Sequence, residues 1–141
     1  MQKLNEEELE KIKKEKLRKL IEKMQRGERK MEEVKHITSQ NFKEEVIESE
    51  LPVIIDFWAE WCMPCKIVMP IFGELAKEYS GRMKFVKINV DESPDLASAF
   101  AVHSIPTFLI FYKGKVIDKL TGAMPKEYLK NFIEKALSSI E

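Results

Sequence analysis

Two cysteines with two residues between them, Cys62-Met63-Pro64-Cys65, carry the reactive chemistry of this 141-residue chain and are its only cysteines. An apolar run precedes them, Pro52-Val53-Ile54-Ile55-Asp56-Phe57-Trp58-Ala59, and an apolar helical pattern from Ile67 to Leu75 follows. That order reads as strand, tight turn and helix, with Cys62 where the helix begins. A thiol there faces the free N–H groups and the positive end of the helix, which favour thiolate over thiol. The thiolate is the nucleophile of disulfide exchange. Cys65 lies one turn further along the same side, within reach to close a disulfide with Cys62 or to resolve a mixed one.

Phe57-Trp58-Ala59-Glu60-Trp61-Cys62, Pro64-Cys65-Lys66 and, downstream, Ile105-Pro106-Thr107 resemble the thioredoxin family at its own spacing. The resemblance runs from about Val34 to about Leu137, most of the chain. It implies a thioredoxin fold: an α/β protein with a central mixed sheet of about five strands flanked by helices. It implies a protein-disulfide reductase that works through a Cys62–Cys65 redox disulfide, without a cofactor or metal of its own. Its partners would be disulfide-containing proteins and a flavin-dependent thioredoxin reductase. Within the motif, Met63-Pro64 stands where the family usually has Gly-Pro. Residues between the cysteines influence the balance of dithiol and disulfide, so a disulfide oxidase or isomerase of the same fold is one alternative; an interaction or assembly module in which an N-terminal helix dominates function is the other.

The resemblance also carries site residues. Asp56 matches the family's buried proton acceptor for the second cysteine, and Lys87 matches a lysine beside it. Ile105–Pro106 matches a cis peptide facing the cysteines. Trp61, Met63, Pro64, Ile105, Pro106, Gly122 and Ala123 would form an apolar collar for the partner. The residues give reasons of their own. Asp56 breaks an otherwise apolar central strand, where a charge is expensive unless it is paired or neutralised by a proton. Burial would raise its pKa and make it a base for the Cys65 thiol. A polar residue bonded to backbone is the other reading of Asp56, and a snorkelling lysine the other reading of Lys87. Ile105 backbone can pair with an extended substrate segment. His103 reads as an exposed loop residue.

The elements that must position this site follow in order. Val34–Ile37 reads as an edge strand, and Ser39 as the cap of a helix through about Ile47 with Phe42 and Val46 inward. The active-site helix is expected from about Met63 to Tyr79, kinked at Pro70, with Ile67, Ile71, Leu75 and Tyr79 as its core stripe. A strand over 84–90 and a short helix over 94–100 follow. Lys113-Gly114 turns a hairpin between strands 108–112 and 115–120. Pro125 opens a last helix whose core face is Tyr128, Leu129, Phe132, Ile133 and Leu137.

Residues 1–30 read as an appendage, with residues 31–141 as the thioredoxin-like domain. Asn5 can cap a helix, with Glu8 in capping-box position, Lys23 and Arg26 in its last turn and Gly27 at its end. It would span about 20 residues and roughly 30 Å before a short polar linker. Leu9, Ile12, Leu17, Leu20, Ile21 and Met24 share a broad apolar sector. A helix folded onto its own domain, a homodimer through this helix, a docking arm and membrane-surface attachment are all compatible with that pattern.

Lys/Arg and Asp/Glu number 24 each, so no net field draws nucleic acid or an anionic membrane. The balance is uneven: residues 1–30 hold 11 and 7, net +4, and the rest hold 13 and 17, net −4. No run approaches a membrane span, the N-terminus lacks an apolar signal region, and it carries too many glutamates for a transit peptide. With both cysteines in the motif, no others remain for structural disulfides, which fits a reducing compartment and a cytoplasmic location. His36 and His103 lack the spacing of a zinc site with these cysteines.

Overall fold

The apolar run before the cysteines becomes the central strand. A computed structural model describes residues 5–31 and 33–141. In it β2 (Val53–Trp58) is buried at every position. It lies between β3 (Lys84–Asn89), to which it is parallel, and β4 (Thr107–Tyr112), to which it is antiparallel. β1 (Val34–Ile37) adds to β3 in parallel, and β5 (Lys115–Thr121) to β4 antiparallel, giving the order β1-β3-β2-β4-β5. A strand with neighbours on both edges and cover on both faces needs an apolar run rather than alternation. In β2 only Asp56 departs from it.

Helices supply the cover. On one face lie α2 (Met63–Glu78) and α4 (Lys126–Ile140), where Phe72, Leu75, Phe85, Phe108, Leu129 and Ile133 share a core. On the other lie α3 (Pro94–Ala99) and a π-helical turn, Lys43–Ile47. There Phe42, Val46, Ile55, Phe57, Leu96 and Leu109 pack together. Phe72 anchors α2 through rings of Phe85 and Phe108, whose centroids lie 4.9 and 5.7 Å away. Burial of such a ring contributes about 2–3 kcal/mol. This is the thioredoxin fold, a mixed five-stranded sheet flanked by helices.

Several local expectations need correction. Ser39 does not cap a long helix: its hydroxyl donates to Asp95 at 2.7 Å, and the helical segment is the five-residue turn, which keeps Phe42 and Val46 inward. The core stripe of α2 is Val68, Phe72, Leu75 and Ala76 together with Tyr79, whereas Ile67 is 65% exposed and Ile71 half-buried. Tyr128 is 56% exposed, while Leu129, Phe132, Ile133 and Leu137 are buried with Ala136. Pro125 sits one residue before α4, in extended backbone. The hairpin turn is as expected, with Lys113 and Gly114 both left-handed at φ 48° and 82°.

The chain divides into two compact units, residues 1–32 and 33–141. In the first, α1 spans Glu6–Met31. Asn5 caps it, its Oδ1 accepting from the Glu8 N–H at 2.8 Å. The helix does not stop at Gly27; it continues through the expected linker. An interior glycine costs only about 1 kcal/mol against alanine, and its neighbours Arg26, Glu28 and Arg29 are charged residues compatible with a helix. Along α1, Leu9, Ile12, Leu17, Leu20 and Ile21 stand exposed. The side chains of Lys23, Met24 and Arg26 lie outside the described residues.

Candidate active site

Cys62 is the N-cap of α2, with extended backbone at φ −90° and ψ 103°. Its N–H donates to the Ala59 carbonyl at 3.1 Å, closing the turn out of β2. Met63 and Pro64 open the helix as its first two residues, where the missing proline N–H costs nothing. The Cys65 N–H donates to Cys62 Sγ at 3.3 Å. One of the free N–H groups of the helix end therefore points at the sulfur of Cys62, an arrangement that stabilises negative charge there. Cys62 and Cys65 form a disulfide, with Cα atoms 5.3 Å apart. Cys65 is sealed, at 0% exposure, and packs with Cys62, Trp58 and Ala59.

Asp56 stands on β2, two positions before the Trp58 that packs with the cysteines. It pairs in register with Lys87 on β3 and Phe108 on β4, and β-strand alternation puts it on the same sheet face as Ile54, the face covered by α2. It is completely buried, and neither carboxylate oxygen has a hydrogen-bond partner among the described residues. Loss of water around the charged form pushes its pKa from 3.8 up to about 7, with the Lys87 ammonium opposing the rise. Lys87 makes no hydrogen bond to it; its Nζ lies over the Trp58 ring, 5.2 Å from the centroid. A carboxyl that titrates near neutrality can take up or release a proton under ordinary conditions.

On the other side of the cysteines, Ile105–Pro106 is a cis peptide. The Ile105 carbonyl oxygen lies 3.8 Å from Cys62 Sγ. Pro106 O accepts from the Gly122 N–H at 2.8 Å, so the Gly122-Ala123 loop is fastened to the proline. Gly122 has φ 107°, a backbone region that suits glycine. Trp61 and Met63 are 71% and 65% exposed, and Pro64 is exposed beside them. Trp61, Val90, Val102, His103, Ser104 and Ile105 line a groove of about 350 Å³.

The structure thus brings Cys62, Cys65 and Ile105 into contact, with Pro106 next in the chain and Gly122 bonded to it. It pairs Asp56 with Lys87 in register and places Ala123, exposed, one residue past Gly122. It also adds residues the sequence reading did not single out. Asp91 Oδ2 accepts from Trp61 Nε1 at 2.9 Å, and the Asp91 N–H donates to Asn89 Oδ1. Trp58 forms the floor against both cysteines. Asp91 is thirty residues from Trp61, and no local pattern links them; Trp58 stood within the family motif but had no role assigned.

Fold and site together define a protein built for dithiol–disulfide exchange. The thioredoxin family model matches residues 33–135, and the chain belongs to the thioredoxin family. It is 46% identical to thioredoxin 1 of Nostoc sp. and 48% to thioredoxin 1 of Synechococcus elongatus. Each match covers 101 residues, 72% of this chain and 94% of the relative. It is 47% identical over 108 residues to the chloroplastic M-type thioredoxin of Spinacia oleracea, covering 77% of this chain and 60% of that one. The chain is a thiol–disulfide oxidoreductase of the kind that reduces protein disulfides. Among the described residues no helix is long and apolar enough to cross a membrane.

Proposed function

We propose that residues 31–141 reduce protein disulfides in two steps with distinct roles for the two cysteines. The Cys62 thiolate attacks one sulfur of the substrate disulfide; that bond breaks, a substrate thiolate leaves and takes a proton, and a mixed disulfide forms. Cys65 then loses its proton to Asp56 and attacks Cys62 Sγ. The second substrate thiolate departs, and the Cys62–Cys65 disulfide closes. Two electrons pass from the dithiol to the substrate, and a thioredoxin reductase returns them. Lys87 moderates the rise in the Asp56 pKa. The collar of Trp61, Met63, Pro64, Ile105, Pro106, Gly122 and Ala123 receives the partner.

The observation that supports these roles best is the N–H of Cys65 directed at Cys62 Sγ while Cys65 itself is sealed. Cys62→Ser should abolish turnover, and Cys65→Ser should trap mixed disulfides with substrates; full activity in Cys62→Ser would sink the assignment. Direction is tested by the reduction potential. A value near −270 mV is expected for a reductant, and one near roughly −180 to −120 mV would mean that the chain isomerises or oxidises.

The exposed apolar row of α1, from Leu9 to Ile21, supports pairing of two copies through this helix. Sedimentation should then give a dimer for the full chain and a monomer for residues 31–141, and a monomeric full chain would remove the idea. The restriction of cysteines to the motif supports a cytoplasmic location, which fractionation with tagged protein checks.

A further inference from the structure

Lys119 projects from β5 and touches neither cysteine. Its Nζ donates to the Ala101 carbonyl at 2.8 Å and the Phe100 carbonyl at 3.2 Å. These carbonyls end α3, at the negative pole of that helix, where an ammonium is well placed. The backbone there is also strained. Ala101 has φ 54°, in the left-handed region that L side chains disfavour. This turn sends the chain into residues 102–105, which wall the groove beside Trp61 and end at the Ile105 carbonyl near Cys62 Sγ. Within the wall, the Val102 N–H donates back to Ala97 O at 2.8 Å, and Phe100 packs on the core. The sheet side is firm: Lys119 pairs with Leu109 across β4–β5, and Leu109 is 1% exposed.

We propose that Lys119 is a positioning residue for substrate recognition. Its ammonium clamps the strained Phe100–Ala101 turn to the sheet and so fixes the 102–105 wall and the Ile105 backbone against which a protein disulfide segment docks. This rests on the disulfide-reductase reading above. The ammonium has three donors and serves two carbonyls at once. A methionine at 119 has similar reach and no donor, so it leaves the turn held on the helix side alone, by the Phe100, Ala101 and Val102 N–H bonds to Leu96, Ser98 and Ala97 carbonyls, with no tie to the sheet. The consequence depends on substrate size. A small aromatic disulfide presents its sulfurs to Cys62 with little need of the wall. A polypeptide disulfide must lie along it, and misplacement of the wall slows its reaction.

The test uses the reduced full chain, with stopped-flow tryptophan fluorescence reporting its oxidation. Insulin serves as the protein disulfide and 5,5′-dithiobis(2-nitrobenzoate) as the small one. Lys119→Met should lower the second-order rate constant with insulin roughly three- to tenfold and leave that with the small disulfide within about twofold. Lys119→Arg, which keeps donors at that place, should recover most of the insulin rate. Equal slowing with both reagents, an unchanged insulin rate, or an Arg variant no faster than Met would each overturn the proposal. Failure of the unmodified chain to reduce either disulfide would instead overturn the reductase reading.

Discussion

Asp56 lets a single substitution weigh the cost of the buried carboxyl. Its pKa stands at 3.8 in an ordinary setting and about 7 in the fold. The folded chain therefore holds this proton roughly a thousandfold more tightly than the unfolded chain, worth about 4 kcal/mol. The sign follows from the direction. Between these two values the native state binds more protons than the unfolded state, so stability falls as pH rises. The contribution is complete below about 3.8 and lost above about 7. In the disulfide form neither cysteine titrates, which isolates the carboxyl. Asp56→Asn keeps the volume and removes the titration. Guanidinium unfolding of the oxidised protein from about pH 4 to about pH 8.5 should show wild type losing about 4 kcal/mol relative to the Asn variant. Groups common to both proteins cancel in that difference. Glu45, Glu78 and Asp95, whose pKa values are lowered by their partners, act in the opposite sense and at more acid pH. Parallel pH profiles for the two proteins would refute the reasoning, because they would mean that Asp56 is solvated or paired in the fold.

Other consequences are quicker to check. Asp56→Asn should also slow decay of the mixed disulfide more than its formation in quenched-flow traces, and equal rates of decay would remove the carboxyl from proton transfer. Phe72→Ala should cost about 3–5 kcal/mol in chemical denaturation, whereas Ile67→Lys, a short step away on the outer side of α2, should stay within about 0.5 kcal/mol. Gly114→Ala should cost about 1–2 kcal/mol from backbone strain alone, since φ is 82° and no atom within 4 Å blocks a methyl group.

The limits of the sequence reading follow from the range of the interactions. The cysteine turn is local: an extended residue before Met63-Pro64 and a helix after it are decided within a few positions, and Cys62 is where that logic puts it. Asp56 is legible for a different reason, since one charge in an apolar run has few physical explanations. The α2 stripe was misassigned because Ile67, Val68, Met69, Ile71, Phe72, Leu75 and Ala76 wrap much of the helix in apolar residues. Spacing then permits more than one buried face. The sheet resolves it by taking the Phe72 side, between Phe85 and Phe108. Ser39, Asp91 and Lys119 find partners 56, 30 and 18 residues away, fixed by strand order rather than by neighbours in sequence.

That division by range bears on what distinguishes this chain from its relatives in chemistry. The two sulfurs and the buried carboxyl depend on one strand, one turn and one helix, a short contiguous stretch from Val53 to Cys65. The surface presented to a partner is assembled instead from loops that meet only in the folded sheet: Trp61 held by Asp91, Ile105 behind the Ala101 turn, Gly122 bonded to Pro106. Substitutions in such loops leave the proton and sulfur chemistry in place and alter which proteins reach it. Partner choice should therefore respond to Lys119, Asp91 and Met63 while resolution by Cys65 responds to Asp56. Each set should leave the other's step unchanged, because they act on separate steps and share no contact. In the double variant Asp56→Asn with Lys119→Met, formation should match the Lys119→Met rate constant and decay the Asp56→Asn one; a departure in either by more than about 0.5 kcal/mol would show that the groove wall and the buried carboxyl are coupled.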